Sequence, residues 1–197
     1  AQMKSVNILF LAPHWSVSLI KAFMEALDRC GLKGKLVGAD SDRYASALQV
    51  LKPAYIIPRF DEKECLKQLV EICVRDSIHA VIPLSNKAVE FLDENRRPFR
   101  QKEIVLFLPE RETIKICHDK RRLAEFLTAA GVPVPATAQP GSLKHKFPLF
   151  TKRRKGEGVS GHTLASRHHG HDLDAISVPQ RRRAMLAPRD DFAVQLD

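Results

Sequence analysis

Aromatic side chains are scarce in this chain of 197 residues: they make up 7%, with one Trp and two Tyr. Binders of single-stranded nucleic acid interleave basic residues with rings on which bases stack, and no ring interrupts Arg181, Arg182 and Arg183. That run reads as a solvated face, so nucleic acid is not the expected partner. The four cysteines, Cys30, Cys65, Cys73 and Cys117, contain no CxxC pair, which leaves them as reduced structural thiols of a cytoplasmic protein. No apolar run is long enough to span a bilayer and no signal peptide is visible, so no membrane partner is expected. Five of the eight histidines lie between His145 and His171, yet no HExxH spacing exists and no cysteine accompanies RHHGHD (167–172). A solvated loop is the better reading there than a metal site. No GxGxxG follows the first apolar run, which removes a dinucleotide-binding dehydrogenase and leaves Asp40 and Asp42 to turn formation and capping. Internal repeats are absent as well.

What is present is ordinary globular composition, 44% hydrophobic and 28% charged, with 32 basic residues against 23 acidic and a net charge of +9. That balance admits anionic partners without choosing among them. Val6–Ala12 (VNILFLA) is nearly continuous in apolar residues, as in a strand buried on both faces of a parallel sheet. Ser16 is placed to cap a helix that carries Leu19, Ile20, Phe23, Met24 and Leu27 at helical spacing and closes at Gly31. Strands are then expected at 35–39, 55–57, 80–84 and 104–108. Between them fall a short helix at 44–51, a helix capped by Asp61 with Cys65, Leu66, Leu69, Ile72 and Cys73 inward, and a helix at 86–95. Strands alternating with helices imply an α/β fold with a mostly parallel, Rossmann-like sheet. After Pro109 the pattern changes. Arg111–Cys117 reads as a short helix, and Asp119 starts another with Leu123, Phe126 and Leu127 inward that ends at Gly131. Prolines 133, 135 and 140 stiffen an extended connection. The expected domains are 3–114 and 115–197, and Asp190–Leu196 alternates like an edge strand.

Chemistry concentrates in Phe147–Gly161, FPLFTKRRKGEGVSG. A strand ends at Lys152, Arg153, Arg154 and Lys155 follow, and Gly156, Gly158 and Gly161 frame a loop. Glycines let backbone N–H groups approach an anion closely, and lysine and arginine supply charge-assisted hydrogen bonds to it. The lysine precedes the glycines, unlike a Walker P-loop. A hairpin loop with a solvated basic rim is the alternative.

Four segments in order resemble the ATP-grasp superfamily, in particular proteins similar to the large chain of carbamoyl-phosphate synthase. ILFLAP with KLVGADSD, AYIIPRFDE and HAVIPLSN resembles the pre-ATP-grasp domain. CHDKRRLAEFLTAAGVPVPAT (117–137) resembles the segment that opens the ATP-grasp domain, FPLFTKRRKGEGVSG its glycine loop, and DDFAVQLD a strand of its larger subdomain. Residues 4–161 carry most of the likeness. It implies an α/β pre-ATP-grasp domain followed by an incomplete α+β ATP-grasp domain. It also implies a carboxylate–amine ligase working through an acyl phosphate, with ATP and Mg2+ as cofactors and a nucleotide and a small carboxylate as ligands. Lys120 and Lys152 would reach the phosphates, Arg154 falls on the arginine of a KPR motif, and Gly156, Gly158 and Gly161 fall on the mobile loop. Departures are Arg153 for the proline of KPR, Val159 for a serine, and His14 and Trp15 in place of a glycine-containing turn. The Mg2+ ligands expected late in such a domain are not in this chain, and neither catalytic nor metal residues are assigned. The other reading is a truncated or degenerate non-catalytic relative, a binding or assembly module that forms a homo-oligomer.

Overall fold

The structure is a computed structural model; it describes residues 5–135, 137–138, 149–155, 163–165 and 192–196. Backbone proximity divides the chain into two units, residues 1–110 and 111–197.

In the first unit, β1 (Ile8–Leu11), β2 (Leu36–Asp40), β3 (Ala54–Ile56), β4 (Ala80–Pro83) and β5 (Val105–Leu106) form one parallel sheet in the order β3-β2-β1-β4-β5. This is the α/β class the alternation implies. Strand β1 lies at the centre, where Ile8, Leu9, Phe10 and Leu11 are all buried. Because successive side chains point to opposite faces, the two halves of VNILFLA serve two cores. Leu9 and Leu11 pack with Val37, Val81 and the inner residues of α2 (Glu64–Arg75), α3 (Asn86–Glu94) and α4 (Arg96–Gln101). Ile8 and Phe10 pack with Leu36, with Ile20 of α1 (Val17–Arg29) and with Leu51. The Phe10 and Phe23 rings meet edge to face with centroids 5.0 Å apart. A sheet covered on both faces explains why apolar runs, not alternation, mark these strands.

Cys65 and Cys73 are buried in α2, as their spacing implies, beside Leu69 and Ile72. At the other end of the sheet Asn7 is the polar fastener. Its side-chain amide donates to the carbonyls of Asp76 (2.9 Å) and Ser77 (3.1 Å), and its Oδ1 accepts from Lys35 N–H (2.9 Å). One buried amide thus joins the entries of β1, β2 and β4.

Several local expectations are corrected. Ser16 occupies the N-cap position of α1 but its side chain makes no capping hydrogen bond. Asp61 does not cap α2: the helix begins at Glu64 after Lys63, and Asp61 instead pairs with Arg59 at 3.4 Å. Residues 44–51 form only a 3-10 turn, Ser46–Gln49. Pro98 does not prevent α4 because it sits in the first turn, where its missing N–H has no helical acceptor anyway.

In the second unit, α5 (Arg111–Cys117) and α6 (Lys120–Ala129) precede a four-stranded sheet of β6 (Thr137–Ala138), β7 (Leu149–Arg153), β8 (Thr163–Ala165) and β9 (Phe192–Leu196), in the order β6-β9-β7-β8. Its pairings are antiparallel. Strand β9 is therefore interior, not an edge as its alternation suggested: it is paired on both sides, by β6 and β7. Phe126 also departs from expectation, being 53% exposed while Leu123 and Leu127 are half-buried. No residue of α6 is fully buried.

Candidate functional site

Helix α6 begins where sequence places it, and Asp119 is the reason. Its carboxylate accepts the N–H groups of Arg121 (3.1 Å) and Arg122 (3.2 Å), which satisfies two donors that a helix start leaves open. The same carboxylate receives Arg154. Nε of Arg154 lies 2.9 Å from Oδ1 and 2.8 Å from Oδ2, and a terminal guanidinium nitrogen lies 2.6 Å from Oδ2. The backbone closes the arrangement: Lys120 N–H donates to the Arg154 carbonyl at 3.1 Å. The first residue of α6 and the first residue after β7 are thus held together by a side-chain pair and a main-chain bond.

The Asp119 side chain is almost fully buried, that of Arg154 about three-quarters so. Burial by itself would raise the Asp119 pKa. The hydrogen bonds from Arg154 and from the Arg122 and Arg121 N–H groups, together with the nearby positive charge, hold it below the usual carboxylate value. The helix start has therefore already taken an anion of the protein's own. The N–H groups of Lys120, Arg121, Arg122 and Leu123 are all engaged within the protein.

The sequence-derived site residues fall as follows. Lys120 is the first residue of α6 and is half-buried. Lys152 lies in β7, its backbone opposite Ala193 of β9. Arg154 leaves β7 and spends its guanidinium on Asp119, a partner that sequence reasoning missed. Lys155 next to it is exposed. Gly156, Gly158 and Gly161 lie outside the described residues, as does the histidine-rich segment. Lys120 and Arg154 are in contact through the backbone, and β7 brings the Lys152 backbone to within two residues of that contact. Among the described residues no group of three or more His, Cys, Asp or Glu is arranged to hold a metal ion.

A second polar constellation stands at the C-terminal end of the first unit's sheet, where Asp40 and Asp42 form the expected turn and Asp40 also pairs with His14, a partner that sequence reasoning missed. Asp40 ends β2 at 1% exposure, and its carboxylate accepts the backbone N–H of His14 (3.1 Å) and of Asp42 (3.0 Å). His14 Nδ1 lies 3.2 Å from the same carboxylate. The signal available was DSD after a strand, which is also an ordinary turn signal.

Comparison with known proteins fixes the family. Residues 8–107 match the model of the PylC-like N-terminal domain, just over half of the chain. The chain belongs to that family. Its fold is the one shared by enzymes of the ATP-grasp superfamily. Among solved structures it is similar to pyruvate carboxylase from Rhizobium etli (TM-score 0.58, 18% identity, 83% of this chain and 16% of that one). It is similar to the L-amino acid ligase from Bacillus licheniformis (TM-score 0.57, 14% identity, 98% and 44%). It is also similar to N5-carboxyaminoimidazole synthetase from Staphylococcus aureus, solved with ADP (TM-score 0.53, 16% identity, 82% and 42%). The chain therefore spans less than half the length of each. No curated protein matches the sequence. Among the described residues no helix is long and apolar enough to cross a membrane.

Proposed function

We propose that this chain carries part of an ATP-dependent ligase of the ATP-grasp type, which joins a small carboxylate to an amine. The observation that carries the reading is the junction of Lys120, Asp119 and Arg154 at the start of α6, directly after the strand that holds Lys152. Lys120 and Lys152 bind the nucleotide phosphates in this reading. Arg154 acts through Asp119, fixing the first turn of α6 against the exit of β7, and the loop of Gly156, Gly158 and Gly161 covers the triphosphate. Mg2+, when bound, would neutralise charge developing on the transferred phosphoryl group. The carboxylate would attack the γ-phosphorus to give an acyl phosphate and release ADP, and the amine would then displace phosphate from the acyl carbon and lose a proton to give the amide.

Calorimetric titration of ATP into the purified chain, with and without Mg2+, tests the assignment. Micromolar binding that Lys152→Ala weakens by at least about tenfold, the equivalent of one charge-assisted hydrogen bond, is expected. Affinity unchanged in both Lys120→Ala and Lys152→Ala would overturn it.

One observation favours the assembly reading in addition. Among the described residues strand β5 ends the parallel sheet, and Val105 and Phe107 beside that edge are 57% and 65% exposed. An unpaired edge with apolar flanks invites pairing with a second copy. Light scattering after size exclusion decides: a monomer at all concentrations would exclude it.

A further inference from the structure

We propose that the C-terminal rim of the parallel sheet holds a binding site for a primary amine on an apolar or aromatic body, built from His14, Asp40, Trp15 and Tyr44. The His14 ring is fixed from below. Asp40, buried at 1% exposure, lies 3.2 Å from Nδ1, so Nδ1 carries the proton it donates to that carboxylate. In the neutral ring this leaves the lone pair on Nε2. Nε2 has no hydrogen-bond partner among the described residues, and the side chain is 39% exposed. The backbone is fixed as well. His14 N–H donates to Asp40 at 3.1 Å, while its carbonyl accepts from Ala47 N–H at 2.9 Å and from the Ser46 hydroxyl at 3.4 Å. Ala12 and His14 both hold positive φ, 51° and 43°, a region non-glycine residues seldom occupy. If fastening the turn were the whole purpose, the three main-chain bonds would serve; the ring is held in addition, and its side chain stays partly exposed.

The surroundings select the ligand. Trp15, the only tryptophan, and Tyr44 are each 85% exposed, and the Trp15 ring lies 5.9 Å from that of His14. Tyr44 stands two residues before Ser46, whose hydroxyl reaches the His14 carbonyl. Exposed aromatic faces attract a cation within about 6 Å. Asp40 adds negative charge beneath the ring, and Nε2 accepts a hydrogen bond from an N–H. An ammonium with an apolar body satisfies all three. The position is also where α/β sheets take ligands, at the carboxyl ends of strands flanking the change in strand order; that change falls between β1 and β4.

The site stands whether or not the chain uses ATP, so its test needs no nucleotide. Trp15 fluorescence reports on it directly, because no other tryptophan contributes. The whole chain is titrated with benzylamine and, in parallel, with benzoate at neutral pH. A saturable response to benzylamine alone is expected, weakened by about tenfold in His14→Ala, as loss of a hydrogen bond to a charged group implies. Tyr44→Ala, an exposed position that leaves the Asp40 pair intact, should weaken it by a smaller factor. No saturable response, an equal response to benzoate, or benzylamine binding untouched by both substitutions would each overturn the proposal.

Discussion

Arg154 reaches back 35 residues to place its guanidinium on both carboxylate oxygens of Asp119, the residue that caps α6. One carboxylate therefore serves two elements, the start of α6 and the exit of β7. If Arg154 is removed, a buried negative charge keeps only its two backbone donors. If Asp119 is removed, the helix loses its cap and Arg154 its counter-ion.

Arg154→Ala should accordingly cost about 3 kcal/mol, the lower end of the range for breaking a buried pair, because the arginine is partly exposed. Asp119→Ala adds the loss of a cap, typically about 1 kcal/mol. The double variant should cost clearly less than the two singles summed. Urea titrations of the four proteins measure this, and strict additivity would show that the two side chains do not stabilise each other.

Acid should release the same junction. The folded pKa of Asp119 lies below its ordinary value of 3.8, because the Arg154 and backbone hydrogen bonds outweigh the opposing effect of burial. A depressed carboxylate contributes stability that is complete above the unfolded-state pKa and is lost as pH falls through the folded one. The melting temperature should thus drop on acidification below about pH 4, and Asp119→Asn should drop less steeply from a lower starting point. Parallel slopes for the two proteins would contradict the assignment.

The cysteines should separate into two pairs. Burial, reinforced by Glu62 and Asp61, pushes the Cys65 thiol up to about 11, and burial with Asp76 pushes Cys73 to about 12. Both stay protonated at neutral pH, and the thiolate is the reactive form. Cys30 and Cys117 are exposed. A thiol reagent added to the native chain should label Cys30 and Cys117 quickly, and Cys65 and Cys73 only after denaturant. Peptide mapping of the labelled protein would reveal a contrary order.

Two glycines near the start of β2 should respond differently to alanine. A Cβ at Gly34 would run into the carbonyl of Val6, which is backbone and has no rotamer to yield. At Gly31, φ is 61° and nothing stands within 4 Å, so only the conformational cost of about 1–2 kcal/mol remains. Gly34→Ala should be the more destabilising of the two by thermal denaturation, and the reverse order would mean that β1 and the chain before β2 do not approach as described.

The sequence by itself determined the parts whose physics is local. Apolar runs such as Ile8–Leu11 report burial on both faces of a sheet, and α2 shows Cys65, Leu69, Ile72 and Cys73 at helical spacing. Asp119 before Lys120 is a cap that needs no knowledge of the rest. The α/β order, the start of α6 and the placing of Lys152 in a strand were legible for that reason. Tertiary structure alone decided where charges find partners and which strands lie inside. That Arg154 pairs with Asp119 is visible only once the end of β7 arrives beside the start of α6. Alternation in Phe192–Leu196 shows two unlike faces but cannot show that neighbours pair on both sides. Asp40 and His14 lie 26 residues apart and meet only because β1 and β2 are adjacent and in register. Spacing encodes which face a residue occupies; the partner it meets there depends on how distant segments pack.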